Sequence, residues 1–274
     1  MFKEILENVH KTTPLVHCIT NYVTVNDVAN ILLACGSSPV MADDENEVND
    51  ITSIANATII NIGTLNKRTI KSMIKAGKKA NELNHPVILD PVGAGASNLR
   101  TETTYELLNS IKFDVIRGNM SEIKTISNGS GNTKGVDADV CDVVTEENLE
   151  SSITFAKELS KKLDCVIAIT GVIDLIAYKD KCIVNRNGDK LMSKVTGTGC
   201  MSTGIIGAFC GANKDNLLEA TAAAISAMGQ CGELAKAKTV NNNLGTSSFR
   251  TFIIDYMSNM TPESLERGAN IEIR

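Results

Sequence analysis

The stretch with the clearest chemical potential is residues 196–200, Thr-Gly-Thr-Gly-Cys, which precedes an apolar segment with helical spacing. Gly197 and Gly199 can adopt φ > 0 and let a ligand approach the backbone. The N–H groups at a helix start, together with the positive end of its dipole, bind anions. We therefore predict a phosphate-binding turn here, with Cys200 in the first helical turn. A helix start without a ligand explains the glycines equally well, because short Gly-x-Gly matches are common.

Polar residues also lie at the ends of four predicted strands, where apolar runs end. These are Asn61, Asp90, Arg117 and Thr170. In parallel α/β sheets, ligands bind outside the carboxyl ends of the strands. We therefore expect these four strand ends and the turn at 196–200 to converge on one site.

The charges at this predicted edge suit phosphoryl transfer, which needs a cation between phosphate oxygens, a positive clamp and fixed N–H donors. Mg²⁺ prefers one or two carboxylates plus water and phosphate, and Asp90 and Glu122 could supply those carboxylates through waters. Each residue also has a structural explanation. Asp90 could hold a turn, Arg117 could pair with a surface carboxylate, and Glu122 could stabilise its own helix. Their shared position at one sheet edge favours the functional interpretation.

The elements that position these residues alternate between strand and helix through the first two thirds of the chain. This order predicts one α/β domain over residues 1–274, with a mostly parallel central sheet between helices. Predicted strands are 14–19, 40–42, 57–63, 86–90, 113–116 and 164–169, with a hairpin at 175–179 and 182–185. Predicted helices are 2–11, one that carries Val28 to Cys35, 66–84, 101–111, a short one near Glu122, 145–162, 200–212, 216–236, 246–258 and 262–267. Residues 128–139 are predicted to be the most mobile loop.

Composition excludes several classes of protein. The chain has 274 residues, a net charge of −5 and no cluster of Lys or Arg, so nucleic acid and anionic membranes are poor partners. It has no apolar run long enough to span a bilayer. Its opening residues lack the apolar core of a signal peptide, so we expect no secretion signal. Its eight cysteines are scattered without a Cys-x-x-Cys pair, which predicts reduced thiols in the cytoplasm. We expect Cys35, Cys165 and Cys210 to fill the core, and we expect no zinc site.

Seven segments in order along the chain together resemble the hydroxyethylthiazole kinase family. They are PLVHCITN (14–21), SPVMA (38–42), NIGTL (61–65), ILDPVGAGA (88–96), IRGN (116–119) with Glu122, ITG (169–171) and VTGTGC (195–200). The resemblance implies a ribokinase-like three-layer sandwich. It also implies ATP-dependent phosphorylation of the hydroxyl of 4-methyl-5-(2-hydroxyethyl)thiazole in thiamine salvage. A homotrimer with active sites between subunits is a further implication.

The resemblance also implies a role for individual residues. ATP contacts would come from Arg117, Thr170 and Gly199, and the acids associated with Mg²⁺ would be Asp90 and Glu122. The thiazole would contact Met41 and Gly197, near the active-site loop of Asn21. A buried core position is the structural alternative for Met41, and the acidic residues 43–45 after it are expected to be solvated.

Cys200 takes the position where most ribokinase-like kinases carry an aspartate base. A helix N-terminus can lower the pKa of a thiol, but phosphoryl transfer needs little help from a base. We therefore predict that Cys200 mainly positions the hydroxyl. The alternatives are hydroxymethylpyrimidine phosphate kinase, an ATP-dependent dehydratase of hydrated nicotinamide cofactors, and a non-catalytic nucleotide sensor. The first two usually carry that aspartate, which counts against them, and the intact Asp90, Arg117 and Glu122 count against the sensor.

Overall fold

The computed structural model describes residues 1–129 and 143–274. The strands of this part of the chain form one sheet in the order β2-β1-β3-β4-β5-β6-β7-β8-β9. Neighbours from β2 to β6 are parallel, and β6 to β9 pair antiparallel. The strands are β1 (Leu15–Ile19), β2 (Ser38–Val40), β3 (Ala57–Asn61), β4 (Val87–Asp90), β5 (Val115–Gly118), β6 (Val166–Ile169), β7 (Asp174–Tyr178), β8 (Lys181–Asn185) and β9 (Ile271–Ile273).

Helices cover both faces of the sheet. They are α1 (Phe2–Thr12), α2 (Val25–Ala34), α3 (Val48–Ile54), α4 (Lys67–Glu82), α5 (Asn98–Ser110), α6 (Met120–Gly129), α7 (Leu149–Leu163), α8 (Thr198–Ala212), α9 (Leu217–Asn241), α10 (Thr246–Ser258) and α11 (Pro262–Gly268). A 3₁₀ turn at Lys190–Lys194 leads into α8. Within residues 1–129 and 143–274, no helix has the length and apolar character needed to cross a membrane.

The sheet separates two apolar cores, because successive strand side chains point to opposite faces. Ile59 packs in the core beneath α1, α2, α8 and α9, whereas its neighbour Ile60 packs in the core beneath α4 to α7. All residues of β3 are buried, as expected for a parallel strand covered on both faces. The predicted three-layer α/β sandwich with a mostly parallel sheet between helices is confirmed.

Most predicted elements are confirmed, and the differences have local causes. The strand predicted at 40–42 lies earlier, at Ser38–Val40, so that Met41 follows it. Three elements were not predicted: α3, whose sequence VNDITSI is poor in strong helix formers, the 3₁₀ turn at Lys190–Lys194, and β9, which depends on distant pairing with β8. Cys35, Cys165 and Cys210 are buried thiols, as predicted. The predicted mobile loop at 128–139 begins within the end of α6, and its residues 130–139 lie outside the described residues.

The small residues of α8 bring it close to the sheet and to α2. Gly204 faces Val28 of α2, and a Cβ on Gly207 would lie 2.7 Å from Ile59 Cδ1 and 3.1 Å from Val16 Cγ1. We expect Gly207→Ala to lower the free energy of unfolding by about 1–3 kcal/mol through overpacking. Gly245→Ala is a control for steric contact alone, because a Cβ there meets nothing within 4 Å, and its own cost as the N-cap of α10 should be only a few tenths of a kcal/mol. Urea unfolding measures both, and equal stability of the two variants would contradict this account of the packing.

Candidate active site

The predicted strand ends meet in a cavity of about 370 Å³ at the carboxyl edge of the sheet. It is lined by eight of the nine residues to which the sequence assigned a role: Asn21, Asp90, Arg117, Glu122, Thr170, Gly197, Gly199 and Cys200. A second cavity of about 510 Å³ adjoins it and shares Arg117, Thr170 and Gly199. The predicted convergence of the strand ends with the turn at 196–200 is therefore present in the fold.

Asp90 ends β4 and is fully buried. Its Oδ2 accepts hydrogen bonds from Asn61 Nδ2 and Thr203 Oγ1, both at 2.8 Å. Burial raises the pKa of Asp90 to about 6, and the charge of Glu122 adds to this rise, whereas Arg117 and the two hydrogen bonds oppose it. The Oδ1 atom is buried without a hydrogen-bond partner among the described residues. The backbone carbonyl of Asp90 accepts from the N–H of Val92 at 2.9 Å and so holds the turn, as the structural explanation expects, whereas the carboxylate bonds to Asn61 and Thr203 instead.

Arg117 lies on β5 with its guanidinium between β4 and β6. Its Nη1 is 3.7 Å from Asp90 Oδ1, and its Nη2 donates to Thr170 Oγ1 at 2.6 Å. The side chain is only 14% exposed and its partner Asp90 is fully buried, so the pairing with a surface carboxylate considered above is wrong. A positive group at this depth suits an anionic ligand in the cavity.

Glu122 holds two segments of backbone at the cavity. Its Oε1 accepts from the N–H of Gly93, and its Oε2 accepts from the N–H of Asn119, both at 2.8 Å. Asn119 Oδ1 accepts from the N–H of Glu122 in return, at 2.9 Å. This reciprocal pair caps the start of α6. The structural role considered for Glu122 is therefore present, and the same carboxylate faces the cavity.

The Cys200 thiol lies among side-chain amides. Asn21 Nδ2 and Asn61 Nδ2 donate to its Sγ at 3.2 and 3.3 Å. Burial first and the charge of Asp90 second raise the pKa of Cys200, and the hydrogen bonds from the amides oppose this rise. The thiol therefore stays protonated at neutral pH, in contrast to the lowering that a helix N-terminus by itself would give.

The start of α8 differs in detail from the predicted turn. Gly197 has φ of 93° and lies just before the helix, as predicted. Gly199 lies inside the helix and has no positive φ, so that part of the prediction is wrong. Its missing side chain instead makes room for Arg117, whose Nη1 would lie 2.7 Å from a Cβ. The Thr198 hydroxyl donates to the carbonyl of Met192 at 3.2 Å, so it is committed to backbone. The first N–H groups of α8 remain without intrahelical partners, as at any helix start.

Met41 is the predicted site residue that does not line this cavity. It lines a separate cavity of about 210 Å³ with Cys18, Tyr22, Thr64 and Arg68 among others. Tyr22 lines this separate cavity and is 77% exposed. Its neighbour Val23 lines the first cavity and is 58% exposed. Asp43, in the acidic segment after Met41, pairs with Arg68 at 2.8 Å at the surface, which agrees with a solvated acidic segment.

The sequence predicted a position at the site but no role for Asn61, and it predicted neither for Thr203 and Arg100. Asn61 connects Asn21, Cys200 and Asp90, and its only sequence signal is a polar residue at the end of an apolar strand. Thr203 contacts Asp90 from 113 positions away, which no local pattern reveals. Arg100 donates to the carbonyls of Ile62, Gly63 and Val92 and so ties the loop after β4 to the end of β3.

The donor set fits a magnesium ion better than a metal that needs a full protein cage. In the described part of the chain, no group of three or more His, Cys, Asp or Glu could hold a metal. Mg²⁺ needs only one or two carboxylates, with waters and phosphates as its other ligands. Asp90 Oδ1, which is buried and without a hydrogen-bond partner in the described residues, is available for such a ligand.

Comparison with known proteins agrees with this geometry. Residues 6–263 match the profile described as the hydroxyethylthiazole kinase family. The chain is 58% identical over 272 residues to the hydroxyethylthiazole kinase of Clostridium acetobutylicum, and the match covers 99% of each protein. The structure of a hydroxyethylthiazole kinase protein from Pyrococcus horikoshii matches with a TM-score of 0.88 at 33% identity, over 100% of this chain and 98% of the other.

A more distant match agrees with the fold alone. A ribokinase-like superfamily protein from Enterococcus faecalis matches with a TM-score of 0.63 at 13% identity, over 95% of each chain. The profile match and the full-length identity identify the family more narrowly than this fold does. The chain belongs to the hydroxyethylthiazole kinase family.

Proposed function

We propose that this protein transfers the γ-phosphoryl group of ATP to the hydroxyl of 4-methyl-5-(2-hydroxyethyl)thiazole, a salvage step for thiamine. The observation that carries the proposal is the meeting of Arg117, Asp90 and the start of α8 around one cavity. This set combines a cation, a carboxylate and fixed backbone donors, which phosphoryl transfer requires. We propose a single domain over residues 1–274, supported by a sheet that joins β1 to β9. We also propose a cytoplasmic location, supported by the free thiols of the described cysteines.

ATP is proposed to span the two adjoining cavities. Its γ-phosphate would lie against the N–H groups at the start of α8, including that of Gly199, and against Arg117 and Thr170. The nucleoside would enter the second cavity, whose walls include the apolar side chains of Met192, Ile225 and Met228. This placement is supported by Arg117, Thr170 and Gly199, which line both cavities.

Mg²⁺ is proposed to lie beside Asp90 and Glu122. Its contact with Glu122 is proposed to pass through water, because both carboxylate oxygens of Glu122 already accept hydrogen bonds, from the N–H groups of Gly93 and Asn119. When bound, the ion would neutralise charge on the phosphate oxygens.

The acceptor hydroxyl is proposed to lie beside the Cys200 thiol. Its oxygen forms a bond to the γ-phosphorus while the bond to the bridging oxygen of ADP breaks, and the hydroxyl proton leaves to solvent or phosphate. Arg117 stabilises the charge on the transferred group. Because burial raises the pKa of Cys200, the thiol is a poor base, and its proposed role is to orient the hydroxyl within the amides of Asn21 and Asn61.

The thiazole ring is proposed to contact Gly197 and a Met41 from a neighbouring subunit of a homotrimer. This is supported by the position of Met41 in a separate cavity of its own chain. The exposed side chains of Tyr22 and Val23 support an interface at this point. Light scattering on the purified protein measures the mass directly, and a monomer with full activity would contradict the shared site.

The reaction is tested by following ADP release with hydroxyethylthiazole, with hydroxymethylpyrimidine phosphate and with hydrated NADH as alternative substrates. We expect release with the thiazole alcohol, a thiazole phosphate of matching mass, and loss of release when Mg²⁺ is chelated. Preference for hydroxymethylpyrimidine phosphate would support the pyrimidine phosphate kinase instead, and preference for hydrated NADH would support the dehydratase. Nucleotide binding without ADP release on any of the three would support the non-catalytic sensor.

Substitution of Cys200 separates a positioning role from a basic one. We expect Cys200→Asp to keep or raise kcat, because the amides of Asn21 and Asn61 can donate to a carboxylate as they donate to the thiol. Cys200→Ala should retain measurable turnover, since the transition state needs little base assistance. Cys210→Ala, in the core of the same helix, is the control for packing. Loss of all turnover in both Cys200 variants would defeat the positioning role.

A further inference from the structure

We propose that Asp174 is a positioning residue for ATP: its carboxylate holds the turn that presents Thr170 to Arg117. This inference rests on the proposed function, because it assumes that Thr170 and Arg117 contact the nucleotide. Asp174 begins β7 and lines the second cavity, although only 8% of the residue is exposed. The phosphoryl-transfer scheme above assigns it no role.

The contacts of Asp174 fix the turn between β6 and β7. Its Oδ1 accepts a hydrogen bond from the N–H of Gly171 at 2.9 Å. Its Oδ2 accepts from Asn185 Nδ2 at 2.9 Å, and Asn185 is its direct partner on β8. The carboxylate is therefore anchored in the sheet and reaches back to the turn, where Gly171 and Val172 are exposed, Val172 by 75%, and Ile173 is buried.

The turn between β6 and β7 also sets the position of the Arg117 guanidinium. The N–H of Thr170 donates to the carbonyl of Gly118 at 2.9 Å, and its hydroxyl accepts from Arg117 Nη2 at 2.6 Å. Asp174 is thus joined to Arg117 by a hydrogen bond to Gly171, the peptide link to Thr170 and a hydrogen bond from the guanidinium. Release of the turn would loosen the hydroxyl on one side of the guanidinium, where the triphosphate is proposed to bind.

The raised pKa of Asp174 indicates a role beyond stabilising the fold. Burial raises its pKa to about 6, and the hydrogen bonds from Gly171 and Asn185, together with Arg117, offset only part of this. A buried acid with such a shift costs stability at neutral pH when it is ionised. Costly buried charges concentrate at functional sites. The position of Asp174 between the turn and the nucleotide cavity is consistent with that pattern.

Two substitutions separate the hydrogen bond from the charge. In Asp174→Asn, the amide oxygen can still accept from Gly171, and its NH₂ can donate to Asn185 after that side chain flips. The flip gives a donor to Asn185 Oδ1, which is buried without a partner among the described residues, and gives up the 3.5 Å hydrogen bond from Asn185 Nδ2 to the carbonyl of Asn187. Asp174→Ala removes the acceptor for Gly171 altogether. The alanine variant should therefore release the turn, and the asparagine variant should keep it.

Calorimetry on the full-length variants measures their affinity for AMP-PNP with Mg²⁺. Steady-state kinetics then show whether each substitution changes KM for ATP or kcat. We expect Asp174→Ala to weaken binding and raise KM about tenfold, the equivalent of one lost buried hydrogen bond, with a smaller change in kcat. Asp174→Asn should stay within about threefold of wild type. Asp114→Ala is the control, because this half-buried acid also accepts a backbone N–H, from Val87 at 2.8 Å, at the opposite ends of the strands.

Unchanged binding by Asp174→Ala, or an equal loss in Asp114→Ala, would overturn the inference while the proposed function stands. Wild-type protein that binds no AMP-PNP would instead contradict the proposed function, and the inference with it. Hydrogen exchange of the Gly171 amide gives a readout even where the alanine variant does not fold. We expect protection of this amide in the wild type and in Asp174→Asn, and rapid exchange in the wild type would also overturn the inference.

Discussion

Replacement of Arg117 by alanine is expected to lower kcat/KM about a thousandfold, the scale at which a cationic clamp or a preorganised donor contributes to phosphoryl transfer. The guanidinium is the nearest cation to the buried Asp90, at 3.7 Å, and it contacts Thr170 on its other side. Its removal takes away positive charge where the transferred group would carry negative charge. Steady-state ADP release over a range of ATP concentrations measures the effect.

Two further variants show whether charge alone accounts for this loss. Arg117→Lys keeps the charge but loses the planar fork that can bind Thr170 and a phosphate at once. We expect it to recover only part of the activity. Arg267→Ala, at an exposed position in α11, should behave as wild type. Near-normal kcat/KM in Arg117→Ala would remove this residue from the mechanism.

Asp90→Asn is expected to lose activity and gain stability at the same time. We expect kcat to fall by about two to three orders of magnitude, because the neutral amide no longer attracts Mg²⁺. The variant should still fold, since the amide oxygen can accept the hydrogen bonds from Asn61 and Thr203 that Asp90 Oδ2 accepts. Asp215→Asn, at an exposed position, is the surface control.

The gain in stability follows from the raised pKa of Asp90. Between its ordinary value of 3.8 and about 6, the folded protein retains a proton that the unfolded chain has released. The free energy of unfolding therefore falls as pH rises through this window. Asp90→Asn has no titrating group at this position, so its free energy of unfolding should not fall in this way. The difference in free energy of unfolding between the variant and wild type should therefore grow as pH rises through the window, and it should reach the order of 3 kcal/mol at higher pH.

Urea unfolding of wild type and Asp90→Asn at a series of pH values measures this difference. Asp174 has a raised pKa in the same range, but it is present in both proteins and cancels in the comparison. A constant difference in stability across the window would show that Asp90 is not a buried acid with a raised pKa. Unimpaired turnover in the variant would separate the carboxylate from catalysis.

The edge of the sheet could be predicted because it depends on local patterns. Apolar runs gave the parallel strands, and the polar residue after each run had to fall at one edge. Asp90, Arg117 and Thr170 were therefore placed together from spacing alone, and the structure brings them into one cavity. The turn before α8 could be predicted for the same reason, because Gly197 needs a positive φ that few residues adopt.

Strand order and long-range contacts could not be predicted in this way. Met41 follows β2, which lies at the outer edge of the sheet with β1 between it and β3. Its separate cavity follows from that order, which no local pattern fixes. The hydrogen bond from Thr203 to Asp90 and the pairing of β9 with β8 likewise join residues far apart in sequence. The hydrogen bond from the Thr198 hydroxyl to the carbonyl of Met192 could not be predicted either, because Met192 lies in the 3₁₀ turn that precedes α8.

The central claim is that one cavity binds the triphosphate between Arg117, the start of α8 and the acids Asp90 and Glu122. A crystal structure of the protein with AMP-PNP, Mg²⁺ and hydroxyethylthiazole tests it most directly. We expect the γ-phosphate at Arg117 and the N–H groups of residues 198–200, the ion beside Asp90, and the hydroxyl beside Cys200. A nucleotide bound away from Arg117 and the start of α8 would contradict the account.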